Sequence, residues 1–297
     1  MPAPSIDALS LRLPRGQYVD RPEPKDLVVM HHTAGGSAAS SVSWWRQTDV
    51  RVATAYIIER DGTIYECFDP GLWAYHLGAS IQSLEERSIG IELANWGGLK
   101  HDGATYRTWS GAEIPKTAVH DHGRSWRGFR YYEAYPKAQL DAAIALAAHL
   151  VERFGIAPDV APAQLGSPDV TRFRKYRGVV AHHHVRADKS DISPAFPWDR
   201  LTDEIEALAS DPDVPPPAPQ VPKKSLGVGD GGDRVVLLQK RLAEMGYNVG
   251  PADGDFGPRT LAAVLAAQRD AGLLADGIVG PQTAATLGLS WPDLDDA

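Results

Sequence analysis

Leu27-Val28-Val29-Met30-His31-His32-Thr33-Ala34 is the stretch that decides the fold. Four apolar residues read as a short buried strand, and two imidazoles follow at its end. Gly178-Val179-Val180-Ala181-His182 repeats the pattern. Ser88-Ile89-Gly90-Ile91-Glu92-Leu93 is a third apolar strand, with one carboxylate inside it. Strands that end in polar, chemically able side chains suit an open sheet, whose ligands collect outside the carboxyl ends of its strands.

Outward from these strands the pattern is mixed α/β. Ala55 to Glu59 and Thr63 to Phe68 flank Arg60-Asp61-Gly62, and an Asp-Gly step between two such runs predicts a hairpin. Leu140, Ala143, Ile144, Ala147, Leu150 and Val151 recur at helical spacing, and Gly155 is a suitable stop. Trp198 to Leu208 reads as an amphipathic helix. The polar and aromatic stretch from Gly97 to Tyr135 carries few helical signals. It is expected to be an ordered insertion near the site, with His120 and His122 in surface or groove roles rather than on a metal.

Asp211 to Lys224 holds Pro212, Pro215, Pro216, Pro217, Pro219 and Pro222. Such a segment favours polyproline II and acts as a semi-rigid spacer. The expected division is residues 1–210, a linker at 211–224 and a small all-α domain at 225–297. Asp253-Gly254-Asp255-Phe256-Gly257-Pro258-Arg259-Thr260 is echoed by Asp276-Gly277-Ile278-Val279-Gly280-Pro281-Gln282-Thr283. In each, Asp-Gly makes a turn and Gly-Pro opens a helix. Val235, Leu238, Leu242 and Met245 define one face of a first helix. The result is a compact three-helix module without a cluster of His, Cys or paired acids.

Composition narrows the class. The chain has 297 residues, 43% of them apolar, and a net charge of −8. Without a long Lys/Arg cluster this argues against nucleic acid as the main ligand. The single cysteine, Cys67, sits in an alternating strand and reads as a packed thiol. No run of 18 apolar residues is present, so no membrane-spanning segment is expected. Met1 to Gly16 lacks the pattern of a signal peptide.

Taken singly, the polar residues are ambiguous. A His-His pair is weak evidence of a ligand. Asp188-Lys189-Ser190-Asp191, taken alone, reads more readily as a solvated turn. Glu92 costs free energy in an apolar strand unless it is paired or needed, yet it also suits an edge strand facing water. Together they form the parts list of a mononuclear zinc hydrolase: two imidazoles and a carboxylate as ligands, a Glu as general base and a Lys.

Four segments, in order, resemble the zinc N-acetylmuramoyl-L-alanine amidases, the fold shared with peptidoglycan recognition proteins. They are Val28 to Ala34, Ala74-Tyr75-His76-Leu77-Gly78-Ala79, Ser88 to Leu93 and His182 to Asp191. The resemblance runs from about residue 25 to 205. It implies a mixed central β-sheet flanked by helices and Zn2+ held by His31, His182 and Asp191. It also implies catalysis by Glu92 with Lys189 stabilising the oxyanion. His76 matches a histidine lining the substrate groove, and His32 and Asn95 are expected beside it as substrate contacts. Three adjacent imidazoles, His182-His183-His184, leave the ligand uncertain by one position. A catalytic Tyr used by some relatives has no match among Ala53, Thr54 and Ala55, and Tyr56 is given no role.

The small domain resembles the peptidoglycan-binding module attached to many wall hydrolases. The implied reaction cleaves the amide between N-acetylmuramic acid and L-alanine of the stem peptide. The expected partner is peptidoglycan, with no nucleic acid and no membrane insertion, and the chain is expected to be a monomer. The architecture looks like a bacteriolytic, antimicrobial phage or prophage endolysin, or an autolysin exported by another route. A non-catalytic peptidoglycan receptor and a zinc peptidase cutting within the stem peptide are the competing readings.

Overall fold

A computed structural model of the chain describes residues 4–289 except 49, 79–81, 164–172, 174, 210–225, 229, 274 and 276. The proline-rich linker expected at 211–224 lies outside the described residues. Contacts divide the chain into two compact units, one essentially residues 1–219 and the other 220–297 together with 79–84.

The first unit is built on a six-stranded sheet. Its strands are β1 (Ile6–Asp7), β2 (Leu27–His32), β3 (Tyr56–Ile58), β4 (Ile64–Glu66), β5 (Ser88–Leu93) and, from the far end of the unit, Gly178–Ala181. The spatial order is β1-β4-β3-β5-β2 and then Gly178–Ala181. β3, β5, β2 and Gly178–Ala181 lie side by side and parallel. Their carboxyl ends therefore share one edge, where His31, Glu92 and His182 emerge. Every residue of β2 and of Gly178–Ala181 is buried, as parallel strands covered on both faces should be. The Asp-Gly hairpin between β3 and β4 forms as its sequence predicts, with Gly62 at φ +89°.

Helices cover this sheet. α1 (Ala38–Trp45) starts on a capping box between Ser37 and Ser40. α2 (Gln82–Arg87) leads directly into β5. α3 (Lys137–Phe154) buries Ala143, Ile144, Ala147, Leu150 and Val151, and Gly155 ends it in the left-handed conformation at φ +59°. Gln139 ties this helix to the sheet: its Nε2 donates to the carbonyls of Ile58 and Ala94, both at 3.0 Å. Among the described residues no helix is long and apolar enough to cross a membrane.

The stretch from 97 to 135 is ordered, but as a sheet. β6 (Gly98–His101), β7 (Tyr106–Arg107), β8 (Glu113–Ile114), β9 (Val119–Trp126) and β10 (Phe129–Glu133) form an antiparallel sheet in the order β8-β7-β6-β10-β9. The signal was in the turns. Asp102-Gly103, Ser110-Gly111 and Arg127-Gly128 each carry a glycine at φ near +90°, which is hairpin chemistry between short aromatic runs. His120 and His122 both lie on β9, half-buried.

Gly178–Ala181 is thus β11. The three histidines after it do not prolong the strand; α4 (His182–Val185) is one helical turn. α5 (Trp198–Ala209) closes the unit. Cys67 is fully buried, which pushes its thiol up to about 12 and leaves it inert.

Gly178 at the head of β11 has φ +131°, and a Cβ there would lie 2.1 Å from the Asp159 carbonyl oxygen. That carbonyl is fixed because it accepts from Val179 N at 2.8 Å. Gly178→Ala is expected to destabilise this unit by on the order of 3 kcal/mol or more, read by chemical denaturation. A loss below about 1 kcal/mol would show that this strand end relaxes freely.

Lys25 offers a pH-dependent test of packing. It is buried, donates to the carbonyls of Glu86 and Ser88, and burial pushes its ammonium down to about 7 against the pull of Glu23, Glu86 and Asp26. Above that pH the unfolded chain holds a proton there that the folded chain has lost, up to the ordinary lysine value near 10.5. Stability therefore rises with pH across this window, by at most about 1.4 kcal/mol per unit. Denaturation of wild type and Lys25→Met from pH 7 to 10 should give a difference that grows in favour of wild type. A constant difference would contradict a neutral Lys25.

In the second unit α6 (Asp233–Glu244), α7 (Pro258–Asp270) and α8 (Pro281–Thr286) pack around Leu226, Val235, Leu238, Leu242, Phe256, Val264 and Val279. Pro258 and Pro281 occupy first-turn positions, as the repeat implies. Met245 does not share the buried face: α6 ends at Glu244, and Met245 is 41% exposed. The repeat is maintained by two buried glutamines. Gln239 Oε1 accepts from Gly254 N, and Gln268 Oε1 accepts from Gly277 N, each at 2.9 Å. Their amide groups donate to Thr260 Oγ1 and Thr283 Oγ1. Each helix thus fixes the turn glycine that follows it, Gly254 or Gly277.

Candidate metal centre and catalytic site

At the carboxyl edge of the parallel strands three donor atoms converge. Nδ1 of His31 and Nδ1 of His182 are 3.1 Å apart, and each lies 3.0 Å from Oδ2 of Asp191. All three residues are buried. Donors sharing one ion at bonds of about 2.0–2.1 Å take up such spacing. Burial pushes the His31 imidazole down to about 4, which keeps it neutral and fit to ligate. Burial alone would raise the Asp191 carboxyl, but the His182 and His31 imidazoles outweigh it and hold it well below the usual range. Two imidazole nitrogens and one carboxylate oxygen therefore offer the donor set that fits a divalent, nitrogen- and oxygen-loving ion.

The outer nitrogens of both histidines are occupied. His182 Nε2 lies 2.8 Å from the Leu77 carbonyl, and His31 Nε2 lies 2.9 Å from His76 Nδ1. His76 Nε2 in turn lies 2.7 Å from Ser88 Oγ. The Leu77 carbonyl can only accept, so His182 carries its proton on Nε2. Ser88 Oγ donates to the Glu85 carbonyl and so accepts from His76 Nε2. That leaves His76 Nδ1 to accept from His31 Nε2, and the Nδ1 atoms of His31 and His182 are free to take a metal.

Of the three adjacent histidines only His182 reaches this point. His183 Nδ1 donates to the Asp191 carbonyl. His184 Nδ1 accepts from Ala181 N, and its Nε2 donates to the Pro162 carbonyl. The helical turn fans the three rings in different directions, and His182 is the one turned toward His31 and Asp191.

Glu92 stands directly beside His31 in the parallel register of β2 and β5. Its Oε2 is buried without a hydrogen-bond partner. Burial raises the Glu92 carboxyl well above its ordinary value, the Asp191 charge adds to this, and Lys189 opposes it. Lys189 is half-buried and acts on both Glu92 and His31 through its charge.

Three expected substrate contacts are placed otherwise. His76 has a side chain only 4% exposed and bonds to His31, so it braces a ligand rather than lining a groove. His32, on the opposite face of β2 from His31, is buried with its Nδ1 3.2 Å from Tyr135 Oη. Asn95 is fully buried: its Oδ1 accepts from Gly97 N and its Nδ2 donates to the Glu133 carbonyl. Both ends of that amide are used in shaping the loop after β5. Tyr56 is buried with its hydroxyl donating to Glu66.

Other residues enter that sequence reasoning passed over. Glu85 accepts from the backbone N–H groups of His76, Leu77 and Gly78. Burial lifts its carboxyl to about 7, and those donors limit the rise. Arg127, at the tip of the β9–β10 hairpin, donates to the carbonyls of His183 and Ala187 and so holds the loop that carries Lys189 and Asp191. Trp109 stands 69% exposed with its Nε1 donating to the Ala34 carbonyl, edge-on to Trp96.

Comparison with known proteins agrees on the class. Residues 21–195 match the family model described as N-acetylmuramoyl-L-alanine amidase, and residues 231–287 match the putative peptidoglycan binding domain. The N-acetylmuramoyl-L-alanine amidase CwlM of Mycobacterium tuberculosis is 48% identical over 56 residues, which is 19% of this chain and 14% of that protein. The chain likewise spans 54% of an uncharacterised protein from Kitasatospora aureofaciens, at 51% identity over 71 residues, or 24% of this chain. The N-acetylmuramoyl-L-alanine amidase AmiD of Escherichia coli is 26% identical over 261 residues, 81% of this chain and 72% of the relative. A solved structure of AmiD from Escherichia coli in complex with the substrate anhydro-N-acetylmuramic acid-L-Ala-D-gamma-Glu-L-Lys matches over 92% of this chain and 90% of its own, at 23% identity and a TM-score of 0.40.

Proposed function

The chain belongs to the N-acetylmuramoyl-L-alanine amidase family, and from that membership we propose that it hydrolyses the amide between the lactyl group of N-acetylmuramic acid and L-alanine of the stem peptide. The observation that carries this reading is the triangle of His31 Nδ1, His182 Nδ1 and Asp191 Oδ2 beside the unpartnered Glu92 oxygen. His31, His182 and Asp191 would hold a zinc ion, which when bound would lower the pKa of water toward neutrality and polarise the amide carbonyl. Glu92 takes the proton of the attacking water and returns it to the leaving amine. The raised affinity of Glu92 for protons suits the second half of that task, and the Lys189 charge keeps the carboxylate accessible for the first. Lys189 also stabilises the negative charge that develops on the amide oxygen.

The same proposal covers the organisation of the chain. Residues 1–210 carry the chemistry, 211–224 act as a spacer, and 225–297 bind peptidoglycan and raise the local concentration of the catalytic unit at an insoluble wall. That arrangement suits a lytic enzyme that reaches the wall after release from the cytoplasm, as an endolysin does, or after export. Digestion of purified peptidoglycan tests the class of bond. New amino groups should appear without new reducing ends, and a chelator should stop their release. New reducing ends would mean a glycosidase, and binding without products would mean a receptor.

A further inference from the structure

His31 and His182 come from different strands, yet their outer nitrogens end on adjacent residues of one segment. His31 Nε2 reaches His76 Nδ1 at 2.9 Å, and His182 Nε2 reaches the Leu77 carbonyl at 2.8 Å. Residues 76–78 lie in neither helix nor strand, so their position is not fixed by a ladder of backbone bonds. Glu85 fixes it instead. Its Oε2 accepts from His76 N at 2.9 Å and Leu77 N at 3.0 Å, and its Oε1 from Leu77 N at 3.2 Å and Gly78 N at 2.9 Å. From the other side Arg186 Nη1 donates to the carbonyls of Leu77 and Gly78 at 3.2 and 3.0 Å. Glu85 itself is 1% exposed.

A carboxylate removed from water in this way is costly, and converging backbone donors are what offsets the cost. Their effect here is to hold two acceptors, His76 Nδ1 and the Leu77 oxygen, at the spacing the two ligand rings need. A shift of this segment would rotate both rings or release their Nε2 protons. We infer that Glu85 is the positioning residue of the metal centre: by clamping three consecutive amides it sets the tautomer and aim of both histidine ligands. This rests on reading His31, His182 and Asp191 as metal ligands. Glu85 is no catalytic residue, since it acts only through His76 and Leu77.

The test titrates Zn2+ and Co2+ into metal-free full-length protein, with calorimetry for affinity and visible absorption for the Co2+ ligand field. Glu85→Gln keeps Oε1 but turns an amide NH2 against the N–H groups of His76 and Leu77. It should bind metal 10–100-fold more weakly and give an altered Co2+ spectrum, as the loss of an outer-shell partner does. Ile205→Val, a core change in α5, should lower the thermal midpoint and leave affinity and spectrum at wild-type values. A folded Glu85→Gln with wild-type affinity and spectrum would overturn the inference, whatever its thermal midpoint. Should Glu85→Gln fail to fold, Glu85→Asp, which keeps the charge but shortens the reach, decides by the same two readings. Wild type that takes up no ion would contradict the ligand reading itself, a different failure.

Discussion

Glu92→Gln is expected to bind metal as wild type does and to lose turnover by two to four orders of magnitude, the range that a positioned proton-transfer group contributes. The two side chains have nearly the same shape, so His31, its register neighbour on β2, keeps its surroundings. What changes is proton chemistry. Glu92 Oε2 is buried and unpartnered, and the carboxyl holds its proton unusually firmly. A glutamine amide can neither take a proton from water nor return one to the leaving amine. Turnover on a soluble muramyl peptide, read beside metal content, checks this. Retained activity within about tenfold would make Glu92 a packing residue, and simultaneous loss of metal would make its role structural.

The second large effect separates three neighbouring imidazoles. His182→Ala should lose its metal and fall to background activity, while His184→Ala should keep one ion per chain. His182 Nδ1 is one corner of the donor triangle. Both nitrogens of His184 are spent elsewhere, on Ala181 N and the Pro162 carbonyl. Removing His184 leaves those two backbone groups buried without their partners, a cost of about 1–3 kcal/mol each that appears as reduced stability. Metal analysis and thermal denaturation of the two purified variants give both readings. Metal lost from His184→Ala and kept by His182→Ala would reverse the assignment.

The strands that carry the chemistry were legible because each is an apolar run ending in polar residues, and β2, β5 and β11 match their sequence readings closely. The donors His31, His182 and Asp191 were named from a resemblance, and they come together. What the sequence left dark is which way a side chain turns and what it meets. His32 and Asn95 sit close to His31 and Glu92 in sequence but are spent on Tyr135 and on the backbone around Gly97 and Glu133. His76 lies on a segment of the right family pattern, yet it faces His31. Glu85 carries no sequence signal of its role, because nothing local announces three backbone donors seven to nine residues upstream. The insertion was legible as ordered but not as a sheet. Its strands are two to eight residues long, and their only strong signals are the glycine turns.

The central claim is the identity of the bond. Mass spectrometry of the products from purified peptidoglycan, digested by the full-length protein with and without a zinc chelator, tests it most directly. Stem peptides that begin with a free L-alanine amino group, intact glycan strands, and no products when the metal is removed are expected. Peptides cut between stem residues, or products that persist through chelation, would contradict it.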